Sequence, residues 1–261
     1  MAEFTLTAKQ IARNYQTFRT IINEQFPTRK DALNAMYDDL DSDDMRVQMA
    51  PASGYDYFHN AIPGGYIDHV LRVYEFAIVQ WELWMKMGMK VDNFTLEELQ
   101  FAAMHHDLGK LGLPGIGKEH YVVNDSTWHV KNQGKIYKSN PNVPKIPITD
   151  KGFFLLNHYQ VPYSLNEMIG IRCTDGMYEE TNKAYLAGFD LDSKLRNSMP
   201  YILHHADIMA FRFEFERWAT ASEKFNLNTN VNVKPEVKPI TAKEEKPVFG
   251  LDAFDKMFGE K

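Results

Sequence analysis

The sequence predicts an all-α fold: a mainly helical core with a small inserted β-ribbon, followed by a disordered C-terminal tail. Three observations predict it. Several stretches before residue 220 repeat apolar residues at helical spacing. Residues 119–140 break that period, alternating around Tyr121-Val122-Val123 and Trp128-His129-Val130 with Asn, Gly and Ser between. From Glu223 to Pro247 the chain turns rich in Asn, Lys, Pro and Glu, a composition unable to bury a core.

Residues 4–36 carry Leu6, Ile11, Tyr15, Phe18 and Ile22 at roughly helical spacing, which predicts one or two amphipathic helices. The acidic run Asp38, Asp39, Asp41, Asp43 and Asp44 lacks the Gly and terminal Glu of a calcium loop and reads as a solvated turn. A helix is expected after Pro63-Gly64-Gly65, with Tyr66, Val70, Val73, Ala77, Trp81 and Trp84 on one stripe and Gly88 just past its end. Thr95 with Glu98 three residues on is a capping box, opening a helix that continues into His105-His106-Asp107. Residues 152–172 return to helical spacing. A last helix is expected near Ser198, with Pro200 in its first turn, running to about Trp218. The division that follows is an N-terminal helical extension over 1–50 packed on the core, a main domain over 51–222, a flexible linker over 223–248 and an amphipathic segment over 249–261.

Composition narrows the function. The chain has 261 residues, 44% hydrophobic and 25% charged, enough for one good-sized core. Its net charge of −6 gives no bulk attraction to nucleic acid or membrane surfaces. The single cysteine, Cys173, excludes an intramolecular disulfide and any cysteine-rich zinc module. No apolar run reaches membrane-spanning length and residues 1–9 hold no signal-peptide pattern, so a cytoplasmic protein is expected.

Polar groups interrupt the predicted helix faces at the level of the core. His69 leans toward the stripe of the first long helix, and His106 and Asp107 lie about 100° apart on the second. Asp207 shares a face with Leu203, Ala210 and Phe211 on the third. Unpaired carboxylates there would be costly, and a shared cation resolves the cost. Two imidazoles and two carboxylates suit Mn, Fe, Co, Ni or Zn. Such a metal lowers the pKa of bound water and polarises a phosphoryl group, so hydrolysis is the natural chemistry.

The segments Gly64-Gly65-Tyr66-Ile67-Asp68-His69, His106-Asp107-Leu108-Gly109-Lys110 and Leu203-His204-His205-Ala206-Asp207 resemble, in this order, the HD-domain metal-dependent phosphohydrolase superfamily. The resemblance covers roughly residues 55–217. It implies an all-α core with His69, His106, Asp107 and Asp207 as metal ligands. Lys110, one turn past the pair, would approach the substrate phosphate and act with Asp107 in catalysis. Arg72 is one turn from His69 and could contact substrate too, or lie on a solvated face. Members with two metals carry further histidines, for which His120, His129 and His158 are the candidates. Residues 171–176 hold none, so one divalent metal is expected, with His120, His129 and His158 left as substrate-binding or supporting candidates. His105 and His204 read as supporting or structural, and His59 and His205 stay unassigned.

Gly112 to Lys118 has the spacing of a phosphate-binding loop, but Glu119 stands where Ser or Thr would hold magnesium, and the stretch reads as a helix exit turn. Lys118, Lys131, Lys135, Lys138, Lys145 and Lys151, interleaved with Tyr121, Trp128 and Tyr137, could contact phosphates and stack bases, or form a solvated ribbon. The leading expectation is a phosphohydrolase acting on a nucleotide-like substrate. The alternatives are a nuclease on single-stranded nucleic acid and a non-catalytic scaffold working through its tail. Leu251, Phe254 and Phe258 at i, i+3 and i+7 could dock on a protein partner or on the chain's own core.

Overall fold

In the computed structural model the described residues are 4–42, 45–89, 93–187, 195 and 197–221. The expected linker, the amphipathic segment 249–261, Asp43 and Asp44 lie outside them. Among the described residues the fold is mostly helical with one small antiparallel sheet, as the periodicity predicts.

The N-terminal region forms two helices, α1 (Ala8–Gln25) and α2 (Lys30–Leu40), and a short α3 (Arg46–Met49). Thr7 and Gln10 build a capping box at the start of α1. Phe18, Ile22, Phe26, Leu33, Met36, Tyr37 and Leu40 join the same buried cluster as residues of the main domain, so this region completes the core. Burying each large apolar side chain contributes about 1.5–3 kcal/mol. The acidic run does local work: Asp41 Oδ1 accepts from the Val47 and Gln48 amides at 2.9 and 3.4 Å, Asp38 pairs with Arg19 at 2.7 Å, and the Tyr159 hydroxyl donates to Asp39.

Two long helices and a shorter one position the polar groups. Helix α4 (Gly65–Lys86) buries Tyr66, His69, Val70, Val73 and Ala77, with Trp81 and Trp84 partly buried further along. Its first residue tolerates no side chain, since a Cβ on Gly65 would stand 2.1 Å from the Asn60 carbonyl oxygen. Helix α5 (Leu96–His105) starts from the Thr95–Glu98 capping box and ends one residue before the His-Asp pair. The chain then tightens into a 3₁₀ turn, Leu108–Leu111, so His106 and Asp107 sit at a helix exit rather than within a helix. Gly109 makes that turn fit: a Cβ there would lie 1.9 Å from the Ile148 carbonyl oxygen. Helix α10 (Met199–Ala221) packs along α4.

The ribbon is a two-strand sheet, β1 (Tyr121–Val123) against β2 (Tyr137–Ser139), with Val122 opposite Lys138. The expected strand at Trp128-His129-Val130 is instead part of helix α6 (Thr127–Gln133). Ser126 caps it by accepting from the His129 amide, and Gly134 at φ 62° ends it. Residues 148–172, expected to return to helical spacing from 152, form two helices, α7 (Ile148–His158) and α8 (Leu165–Arg172). Gln160 at φ 54° and Pro162 break the run, and Ser164 with Glu167 re-caps it. A further short helix, α9 (Lys183–Leu186), precedes α10. The glycine-rich stretch after residue 111 is a turn closed by the Leu113 amide on the Lys118 carbonyl, and Arg46 binds the carbonyls of Leu113 and Gly115 at 2.8 and 2.7 Å. Its carbonyls face a guanidinium, an arrangement that does not cradle phosphate.

Among the described residues no helix is long and apolar enough to cross a membrane.

Candidate metal centre

The four expected ligands converge. His69 comes from the second turn of α4, His106 and Asp107 from the α5 exit, and Asp207 from the middle of α10. His69 Nε2 lies 3.1 Å from Asp207 Oδ1 and 3.6 Å from Asp107 Oδ2, and His106 Nε2 lies 3.4 Å from Asp107 Oδ2 and 3.8 Å from Asp207 Oδ1. One donor atom from each of His69, His106 and Asp207 falls within 4.8 Å of the others, as does one from each of His59, His69 and Asp107.

The far side of each imidazole is already committed. His106 Nδ1 lies 2.8 Å from the Ala103 carbonyl, which can only accept, so this nitrogen carries the proton. Nε2, buried and without a hydrogen bond, faces Asp107 and Asp207; burial lowers the His106 pKa, but these carboxylates outweigh it and raise it. A buried ring nitrogen without a hydrogen bond beside two carboxylates fits a cation, whether proton or metal. His69 Nδ1 lies 3.2 Å from both carboxylate oxygens of Glu214, whose side chain is wholly buried. Carboxylate–imidazole pairing of this kind orients a histidine ligand and raises its basicity.

Electrostatics tell the same story. Burial pulls the His69 pKa down, but Glu214 and Asp207 outweigh it and push it up to about 10. The extra proton on Nε2 thus holds the position a cation would take among these carboxylates. Burial opposes ionisation of Asp107, yet Lys110, His106 and His69 hold it well below the usual carboxylate range. Asp207 is lowered against burial by His69 and His106.

Lys110 also enters the site, its ammonium 2.5 Å from Asp107 Oδ2 and 3.2 Å from His59 Nε2. Burial and Lys110 keep His59 neutral, its pKa well below the usual histidine value, and its ring stacks on His69 with centroids 4.8 Å apart. These groups open onto a cleft of about 800 Å³. Tyr55, Phe58, Tyr121, Tyr137, Tyr178 and Phe211 supply aromatic wall, and Lys135, Lys138 and Arg212 supply positive charge. Asp175 faces the open cleft; desolvation by the wall, then Asp107 and Asp207, raise its pKa above the usual carboxylate value.

Three expected substrate contacts fall elsewhere. Arg72 lies behind His69, 3.1 Å from Asp68 and 3.6 Å from Glu214, and is not part of the cleft wall. Its role here is to hold Glu214 and Asp68 in place. His129 bonds Ser126 on the exposed helix α6, and His158 stacks on Phe154 at the exposed end of α7. Neither lines the cleft. His105 turns into the core against Phe26, Tyr37 and Phe101, while His204 lines the cleft with Nδ1 2.6 Å from the Thr174 carbonyl.

Glu214, His59 and Asp175 were not foreseen as site residues. Glu214 has a sequence signal, standing seven residues, or two turns, after Asp207 on the same helix face. His59 and Asp175 sit outside long helices, where no period marks them.

Comparison with protein-family models, with curated proteins and with solved structures returned no match.

Proposed function

We propose that this chain is a metal-dependent phosphohydrolase of the HD-domain type, cleaving a phosphoester of a nucleotide-like substrate. The observation that carries the proposal is the convergence of His69 and buried His106, whose Nε2 makes no hydrogen bond, on the carboxylates of Asp107 and Asp207. His69, His106, Asp107 and Asp207 would hold one divalent transition metal, with His59 close to His69 and Asp107 beside them. Once bound, the metal would supply an activated water and polarise a phosphate oxygen.

The rest is the work of side chains. Glu214 fixes the His69 ring through Nδ1, and the Ala103 carbonyl fixes that of His106. Lys110 offsets negative charge developing on the phosphate. Asp175, whose carboxyl retains its proton more readily than an ordinary aspartate, is the cleft group suited to passing a proton to the leaving oxygen. Tyr121, Tyr137 and Phe211 offer faces on which a base can stack, and Lys135 and Lys138 lie along the same wall. That combination favours a nucleotide over a simple phosphomonoester. The single buried Cys173 suits a reducing, cytoplasmic setting.

Metal analysis of the purified full chain tests the ligand set. About one transition metal per chain is expected in the wild type, falling to background in Asp107→Ala. Equal metal in both proteins would remove the basis of the proposal. A chain that binds metal at this site but hydrolyses nothing would instead favour the scaffold reading.

A further inference from the structure

A second cavity, of about 660 Å³, adjoins the first, and Ser139 lines both. Its wall includes His120, Asn140, Asn142, Lys145 and Lys151, with no Asp or Glu among the lining residues. Lys151 is buried, only 1% exposed. Among the described residues its ammonium has one polar partner, His120 Nδ1 at 2.9 Å, and no carboxylate within ion-pair distance. An ammonium out of water with only a neutral ring beside it is a costly arrangement, and the cost asks for an anion.

The surroundings strengthen that demand. Lys151 sits in the first turn of α7, where the helix dipole disfavours a cation and favours a negative charge. Asp150, the acidic residue of that turn, is exposed and makes no ion pair with it. Because His120 accepts at Nδ1, its proton is on Nε2, which has no protein partner among the described residues and is not among the enclosed orphan atoms. Burial, Lys151 and Lys110 push the His120 pKa down to about 4, so the ring is a neutral N–H donor polarised by the lysine behind it. Exposed Lys145 and Ser139 add a second cation and a hydroxyl to the wall.

We propose that this cavity binds a phosphate group, which accepts from His120 Nε2–H and is drawn by the charges of Lys151 and Lys145. One ring N–H, the Ser139 hydroxyl and two ammonium charges along this wall offer more to the several oxygens of a phosphate than to the two of a carboxylate. The phosphate could be the distal group of a molecule lying in the adjoining cleft, or free phosphate. The site does not require the cleft to be catalytic, so its test is independent of the hydrolase reading.

The test is calorimetric titration of chelator-treated full-length protein with inorganic phosphate, comparing wild type, Lys151→Met and Lys110→Met. Saturable binding to the wild type is expected, weakened about tenfold or more in Lys151→Met and kept in Lys110→Met. No binding, wild-type affinity in Lys151→Met, or loss in Lys110→Met would each overturn the proposal, the last by putting the anion in the metal cleft. If Lys151→Met does not fold, side-chain ¹⁵N NMR of the wild type decides, with His120→Gln identifying the resonance. Phosphate should shift the His120 Nε2 signal in a saturable way, and an unmoved signal would refute the site. A nucleoside triphosphate titrated the same way identifies the source. Tighter binding that Lys151→Met reduces indicates a distal substrate phosphate, and binding no tighter than inorganic phosphate indicates the free ion.

Discussion

Glu214 grips His69 from behind, its two carboxylate oxygens each 3.2 Å from Nδ1. The pairing turns Nε2 toward Asp107 and Asp207 and ties α10 to α4 through the site itself. Arg72 at 3.6 Å steadies the carboxylate, and Arg72 in turn pairs with Asp68, which Arg217 holds from α10 at 2.7 Å. Glu214 is therefore expected to matter for metal affinity although it is not a ligand. Glu214→Gln keeps the shape and removes the charge, and should lower affinity by about 10–100-fold. Competition against a chelator of known affinity measures this. Unchanged affinity would reduce Glu214 to a packing residue.

Lys110 occupies Asp107 Oδ2, the oxygen that also faces His69 and His106. Lys110→Met should therefore retain metal as well as the wild type or better, because a competitor for that oxygen is gone. Hydrolysis should fall by about 10²-fold or more with loss of the charge that meets the phosphate. Loss of metal in this variant would make Lys110 a support of the ligand set and contradict its assignment to substrate.

Asp175→Asn should leave metal content unchanged and lower turnover by about 10²–10⁴-fold if its carboxyl passes the proton. The effect should shrink for substrates whose leaving group needs no proton. A uniform loss across leaving groups would point to altered binding instead.

His105 governs part of the acid stability. Burial pushes its pKa down to about 3, Nδ1 is 2.7 Å from the Phe101 carbonyl, and the ring stacks on Phe101 at 4.1 Å. An unfolded histidine titrates near 6.5, so below that pH the unfolded chain takes a proton that the folded chain refuses. This contribution is fully present above about pH 6.5 and lost as pH falls toward 3, at up to about 1.4 kcal/mol per pH unit. His105→Phe should flatten the acid limb of stability between about pH 6 and 4, measured by denaturant melts at each pH. An acid limb as steep as the wild type's would show that other groups set it.

Much of this was legible in the sequence, for reasons visible in particular residues. The stripe from Tyr66 to Ala77 and the Thr95–Glu98 cap predicted α4 and α5 because period and capping chemistry agree there. The convergence of His69, His106, Asp107 and Asp207 was legible as polar groups on apolar faces. Glu214 is harder to see despite its two-turn spacing from Asp207, since it stands among Arg212, Glu216 and Arg217, and a buried acid in charged company looks like part of a solvated face. Arg72 misled in the opposite direction: closeness in sequence to His69 suggested substrate, whereas the helix turns it onto Glu214 and Asp68. Helix α6 was missed because Trp128-His129-Val130 resembles a strand, although Ser126 and Gly134 supplied both of its caps. Lys151 counted as one of a row of ribbon lysines, and only the packing of α7 reveals it as buried.

The most direct test of the central claim is release of phosphate or nucleoside from a panel of nucleotides, comparing wild type and Asp107→Ala with added manganese, cobalt, nickel, iron or zinc. The panel comprises nucleoside mono- and triphosphates, cyclic nucleotides and short oligonucleotides. Metal-dependent hydrolysis of at least one nucleotide by the wild type, abolished by chelation and by Asp107→Ala, is the predicted result. Hydrolysis that persists at the wild-type rate in Asp107→Ala, or no hydrolysis of any member by a wild type shown to carry its metal, would contradict it.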